Sequence, residues 1–227
     1  MLRDISAVVF DVLGTLVDEP HGIMTAVREA TGVDDASAER LLATWQRHIE
    51  HEQQRMAEGE RPYADSRTLD REAAELVLQQ AGVGGAAAVE RLSTAAERHP
   101  AWEGSAEGLR RLAGRFRVFG LSNAEPRTLE RLGRHADLSW HRALSADAVH
   151  AYKPDAAVYR LAVEEAGVAP QQVLMVAAHA WDLRGAQAIG MRTAYVQRPV
   201  GDPPRDGDDF DGQFRGLDEL YEALAAG

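Results

Sequence analysis

Apolar positions follow two regimes along this chain. From Val8 to Phe10 they run unbroken and stop at Asp11, whereas from about Glu19 to Ala101 they recur every three or four residues. Ile23, Val27 and Ala30 form one such series; Leu41, Leu42, Trp45 and Ile49 form a second; Leu69, Ala73, Leu76 and Val77 form a third. A short unbroken run fits a strand buried on both faces, and the wider spacing fits helices with one apolar stripe. Gly32 and the stretches 59–62 and 82–85 punctuate the middle region, which is predicted to hold several helices and no strand. From Trp102 onward short apolar runs return and alternate with helical segments. Strands are expected at Arg117–Leu121, Arg142–Ser145, Val173–Ala177 and Thr193–Val196, and helices at Ala106–Ala113, between the strands at 117 and 142, at Ala156–Ala166 and at Leu217–Ala225. The Pro-, Gly- and Asp-rich segment Arg198–Gly212 reads as an exposed loop. The expected fold class is α/β: a doubly wound, Rossmann-like parallel sheet from residues 1–18 and 102–227, with an all-helical insertion over 19–101.

Composition narrows the function classes. The chain has 227 residues, 45% of them hydrophobic and 27% charged, enough for one sizeable core plus an insertion. A formal net charge of −11 argues against a nucleic-acid or anionic-membrane surface, yet leaves room for a small anionic substrate met by a few local cations. The absence of cysteine excludes thiol chemistry and thiolate metal sites. With no signal segment and no apolar run of membrane-spanning length, the expected location is the cytoplasm.

In an open α/β sheet the carboxyl ends of neighbouring strands face one crevice, so residues just beyond each strand can meet although they are far apart in sequence. Here these are Asp11 to Thr15, Ser122 and Asn123, Lys153, and Asp182. They supply a carboxylate nucleophile, small groups able to hold an anion, a cation able to keep the nucleophile ionised, and a second carboxylate. Each also has a structural reading. Asp11 could end a turn, Ser122 and Asn123 could cap a helix, Lys153 could be a solvated surface residue, and Asp182 could cap the helix starting near Leu183.

The four segments Asp11-Val12-Leu13-Gly14-Thr15, Leu121-Ser122-Asn123, Tyr152-Lys153-Pro154-Asp155 and Ala180-Trp181-Asp182 resemble, in order and spacing, the four motifs of the haloacid dehalogenase superfamily. The helical stretch lies where that family inserts its cap. Phosphatases of the superfamily carry a second aspartate two residues after the nucleophile, where this chain has Leu13, which cannot donate a proton to a leaving oxygen. The motifs therefore resemble those of the type II, L-2-haloacid dehalogenases. That resemblance implies that Asp11 displaces halide from carbon 2 of a 2-haloalkanoate and forms an ester that water hydrolyses, with no cofactor and no metal. It further implies that Thr15 and Lys153 position and ionise Asp11, Ser122 and backbone amides hold the substrate carboxylate, Asn123 helps bind halide, and Asp182 fixes Lys153 or activates water. A homodimer is the assembly such relatives suggest.

The insertion departs from the family pattern. Dehalogenases hold the halide with a cap arginine just after a tryptophan; if Trp45 is that tryptophan, Gln46 takes the arginine's place. Arg47, ahead of Arg40, is the arginine expected to face Asp11. Gln46 in that place with no arginine nearby would require halide binding to be reassigned and would favour another leaving group. Leu13, Trp45, His179 and Trp181 are expected at the substrate site, Trp45 and Trp181 as packing residues or pocket walls and His179 as a hydrogen-bonding fixture, and Tyr159 as a core residue or a contact of the site. Two further functions fit parts of the pattern: a hydrolase or phosphatase-like relative acting on another metabolite, and a non-catalytic binding protein.

Overall fold

The computed structural model describes residues 2–226. Six strands, β1 (Ala7–Asp11), β2 (Arg117–Ser122), β3 (Arg142–Ser145), β4 (Val173–Ala177), β5 (Arg192–Val196) and β6 (Gly212–Phe214), form one parallel sheet in the order β3-β2-β1-β4-β5-β6. β1 is buried at every position because it lies between β2 and β4, with helices on both faces. Its side chains alternate between two cores, as a strand requires. Val8 and Phe10 pack with α5 (Ser105–Ala113), α6 (Pro126–His135) and α9 (Leu217–Ala225), while Ala7 and Val9 pack with α7 (Ala156–Ala166) and α8 (Ala180–Gln187). The strand order reverses beside β1, so its carboxyl end sits at the switch point where such sheets hold ligands.

The region after β1 contains α1 (Glu19–Thr31), α2 (Asp35–Ala57), α3 (Ser66–Gln80) and α4 (Ala86–Ser93), which share a separate core around Val27, Trp45, Ala73, Val77 and Leu92. Asp34 and Asp65 start α2 and α3 by accepting from the N–H groups of Ser37 and Thr68. The chain leaves and re-enters the sheet side by side: Asp18 N–H donates to Pro100 and Trp102 N–H to Leu16, at 2.8 and 3.0 Å. This hinge places the helical insertion over the carboxyl end of β1. No helix among the described residues is long and apolar enough to cross a membrane.

The expected strands and helices form, with ends shifted by a residue at Ser105, Ser122 and Arg192. The segment read as a loop carries no helix or strand over 198–211, and one element was not expected: β6, which begins at its last residue and pairs with β5 from Gly212 to Phe214. Three residues containing a glycine and a glutamine carry too little apolar pattern to announce a strand, and this edge strand is set by pairing with β5 instead.

Candidate active site

Asp11 ends β1, and the chain then turns through Gly14 at φ +79°, a conformation that glycine adopts without strain. A side chain at Gly14 would also meet His179 Nε2 at 2.5 Å, so glycine lets the imidazole lie against the turn. The turn returns Thr15 to Asp11: its hydroxyl donates to Asp11 Oδ2 at 2.6 Å while accepting from Ala178 N–H at 2.9 Å. With its acceptor side occupied, the hydroxyl is oriented as a donor to the carboxylate. Two long side chains fix the same turn from behind. Trp102 Nε1 donates to the Gly14 carbonyl at 3.0 Å and Arg198 Nε to the Thr15 carbonyl at 2.8 Å.

Lys153 reaches the other Asp11 oxygen. Its Nζ donates to Asp11 Oδ1 at 2.9 Å and to Asp182 Oδ2 at 2.8 Å, and all three side chains are almost wholly buried. Burial alone would pull the ammonium pKa down, but Asp11 and Asp182 together outweigh it and hold Lys153 above its ordinary value. Asp182 is raised by burial and by the Asp11 charge, against the pull of Lys153. Tyr159 donates to Asp182 Oδ1 at 2.7 Å, which occupies its second oxygen. Asp182 thus holds Lys153 in place; with both oxygens committed and no exposed surface, it is closed to a water molecule. Asn123 Oδ1 accepts from Lys153 N–H at 2.9 Å, leaving its amide N–H groups to donate elsewhere. Ser122 Oγ accepts from Ala124 N–H at 3.1 Å and keeps its own proton free to donate.

A cavity of about 610 Å³ lies between the sheet end and the insertion. Asp11, Leu13, Ser122, Asn123, Lys153, His179, Trp181 and Trp45 all line it, so the structure brings these expected site residues together. Thr15 and Asp182 stand behind Asp11 and Lys153. Trp181 is partly exposed at the mouth and tilts against His179, with ring centroids 5.8 Å apart.

The arginine expectation is not met. Arg47 lies on the outer side of α2, where it donates to Thr44 Oγ1 at 3.2 Å, and Arg40 donates to Ser37 on the same exposed surface. Gln46 faces the cavity instead. Successive residues on a helix are turned by about 100°, so with Trp45 and Gln46 directed inward, Arg47 points to solvent. The two arginines at the cavity mouth are already engaged: Arg184 with Asp208 at 2.8 Å and Arg205 with Asp202 at 3.4 Å. Sequence reasoning missed Trp102 and Arg198, although Arg198 lies two residues beyond the end of β5 and the strand-end rule could have flagged it. It also missed Glu19, Asp70 and His99, which line the cavity from the insertion side.

Comparison with known proteins places this geometry in a lineage. The profile of the haloacid dehalogenase-like hydrolases matches residues 5–190. The (S)-2-haloacid dehalogenase 4A of Burkholderia cepacia is 32% identical over 230 residues, covering 99% of this chain and 97% of that protein. The L-2-haloacid dehalogenase PA0810 superposes with a TM-score of 0.89 at 28% identity, covering 98% of this chain and 100% of the other. The Xanthobacter autotrophicus L-2-haloacid dehalogenase with chloropropionic acid covalently bound superposes with a TM-score of 0.81 at 25% identity, covering 96% and 97%. The chain belongs to the haloacid dehalogenase-like hydrolase family, in the branch of the type II, (S)-2-haloacid dehalogenases.

Proposed function

We propose that this protein hydrolyses the carbon–halogen bond of 2-halo acids through an ester on Asp11. The observation that carries the reading is the coordination of Asp11: one oxygen is held by Thr15 and the other by the buried Lys153, while Leu13 stands where a leaving-group acid would be needed for phosphate ester chemistry. Both hydrogen bonds fix the orientation of the carboxylate, which is what an in-line displacement at carbon requires. Halide leaves without a proton, so a leucine at position 13 is compatible with the reaction.

In this scheme Asp11 attacks carbon 2, the carbon–halogen bond breaks with inversion, and the ester carbonyl takes up water to release a 2-hydroxy acid and restore Asp11. Ser122 and backbone N–H groups at the strand ends hold the substrate carboxylate. Halide binding is assigned to the amide donors of Asn123 and Gln46 in place of a cap arginine, because both line the cavity and the oxygen of Asn123 is already used. His179 lies against the nucleophile turn and lines the same cavity, so it is the base for the hydrolytic water that the enclosed Asp182 cannot be. Lys153 supplies the positive charge at the nucleophile, and the reaction as written has no metal-dependent step.

Halide release from short (S)-2-chloro acids, with and without EDTA, tests this. Turnover unaffected by EDTA is expected. Release of phosphate from phosphomonoesters that depends on magnesium, without halide release, would replace the proposal by phosphoryl transfer.

A further inference from the structure

His179 lines the cavity beside Asp11 and rests on the nucleophile turn, yet among the described residues its ring makes no hydrogen bond and no ion pair. A histidine that moves protons needs a second group to fix the ring and to answer the charge it gains. Of the carboxylates that line the cavity, Asp11 is the nucleophile and is held by Thr15 and Lys153. Asp202 pairs with Arg205 at 3.4 Å and accepts from Trp181 N–H at 3.2 Å. Asp70 on α3 is set among Glu19, Glu125, Arg67 and Asp65, and Glu50 is exposed on α2. Glu19, at the start of α1, is the carboxylate left to serve the imidazole.

The course of the chain brings the two together. His179 Nε2 lies 2.5 Å from where a side chain would begin at Gly14, so the ring rests on the first half of the turn. The turn then comes back on itself: Val17 pairs with Leu13, and the N–H groups of Leu16 and Val17 donate to the Val12 carbonyl at 2.9 and 3.3 Å. Glu19, two residues further on, therefore begins α1 near the point where the imidazole rests, and both side chains face the same cavity. Among the described residues the Glu19 carboxylate accepts no hydrogen bond and forms no ion pair, so no other group claims it. Burial pushes Glu19 up to about 7; His179 pulls against that rise and Asp11 adds to it. The cations of the cavity are committed elsewhere, Lys153 to Asp11 and Asp182 and Arg184 to Asp208. An ionisable group kept in such surroundings costs stability, which is a cost found where function needs the group.

We propose that Glu19 is the positioning residue of the His179 base: its carboxylate orients the imidazole towards the ester on Asp11 and answers the positive charge that the ring takes on during ester hydrolysis. This rests on the reading that Asp11 forms that ester and that His179 serves the hydrolytic water. In the step concerned, His179 takes one proton from water while the water oxygen bonds to the carbonyl carbon of the Asp11 ester. The tetrahedral intermediate then breaks its bond to the oxygen of the 2-hydroxy acid, which receives the proton back from the imidazolium, and the Asp11 carboxyl loses its own proton to solvent. Glu19 touches neither water nor ester in this scheme. Its charge favours the imidazolium stage over the neutral stages before and after it, so its effect falls on hydrolysis and not on the displacement of halide.

Rapid-quench kinetics with (S)-2-chloropropionate separates the two steps, with chloride reporting ester formation and mass spectrometry of the Asp11 peptide reporting ester decay. In Glu19→Gln a burst of about one chloride per active site should persist, while ester decay slows roughly 10- to 100-fold, less than the roughly 100- to 10,000-fold expected when His179→Gln removes the base itself. Glu19→Asp keeps the charge and should recover most of the loss. A structural role alone would slow both steps together and would not depend on that charge. Equal losses in the two steps, unchanged ester decay, or a Glu19→Asp as slow as Glu19→Gln would overturn the proposal. A second measurement needs no substrate. In carbon-13 spectra of protein labelled at the glutamate carboxyls, the Glu19 signal is the one missing from Glu19→Gln, and its titration midpoint should rise in His179→Gln because the ring that opposes the rise is gone. An unchanged midpoint overturns the pairing whether or not any 2-halo acid reacts. A raised midpoint in a protein that releases no halide from any 2-halo acid removes dehalogenation while the pairing stands, and halide release with equal losses in both steps removes the role of Glu19 alone.

Discussion

Replacing Lys153 with methionine removes an ammonium from between two carboxylates while keeping a long, flexible side chain. Lys153 makes charged hydrogen bonds of 2.9 Å to Asp11 and 2.8 Å to Asp182, and Asp182 has no exposed surface through which water could replace them. Breaking one side of a buried ion pair costs about 3–5 kcal/mol, because a buried charge is left without compensation. Here two carboxylates lose the same partner, so the upper part of that range, about 4–5 kcal/mol, is expected near pH 7.5, a fall in Tm of roughly 8–20 °C for a domain of this size. The pH dependence identifies the cause. In the wild type the folded Lys153 pKa is raised, so its contribution is complete below the unfolded lysine value and is lost only as pH rises through the higher folded value. In Lys153→Met the enclosed Asp182, already raised by burial, loses the cation that opposes the rise. The deficit is then full at neutral pH and shrinks as pH falls towards the ordinary carboxylate range, where Asp182 can take up a proton. Denaturant unfolding followed by circular dichroism at about pH 7.5 and about pH 5 measures both values. A deficit under about 1 kcal/mol at pH 7.5, or one equal at the two pH values, would refute the role given to this ammonium.

Tyr159→Phe should cost about 1–3 kcal/mol of stability, since it leaves one oxygen of the enclosed Asp182 without its 2.7 Å donor, and should lower kcat more than it raises KM because the loss acts through Lys153. Glu19→Gln should match the wild type in stability near pH 4.5 and exceed it by up to about 3 kcal/mol above pH 7: a carboxyl raised on folding from 4.5 to about 7 destabilises the native state progressively across that window. Thermal unfolding of both proteins from pH 4.5 to 8 measures the divergence, and parallel curves would show that Glu19 is not enclosed as described.

The residues at the sheet were readable in advance because one physical rule covers them. A buried strand is an apolar run, and the polar residue that ends it must lie at the sheet edge, which located Asp11, Ser122 and Asn123 before any packing was known. The insertion obeys no such rule. Trp45 signals the buried face of α2, but whether the next residue or the one after it meets the cavity depends on how α2 packs on α1 and α3, and the result put Gln46 inside and Arg47 outside. Glu19, Asp70 and His99 were equally hidden: on a helix or loop a polar residue ordinarily faces water, and only the closure of the insertion over β1 turns these three towards a shared cavity. β6 escaped because a three-residue edge strand has no period to detect. The placement of Asp11 and its neighbours at the sheet was therefore legible, and the lining that the insertion contributes to the cavity was not.

The most direct test of the account is a single turnover of enzyme in excess over an (S)-2-chloro acid in water enriched in heavy oxygen, followed by mass spectrometry of the product and of the peptide containing Asp11. An ester on Asp11 that water hydrolyses at its carbonyl carbon leaves the heavy atom in the Asp11 carboxylate and an unlabelled oxygen in the first 2-hydroxy acid released. Heavy oxygen in that first product, with Asp11 unlabelled, would mean that water attacks carbon 2 itself and would contradict the central claim.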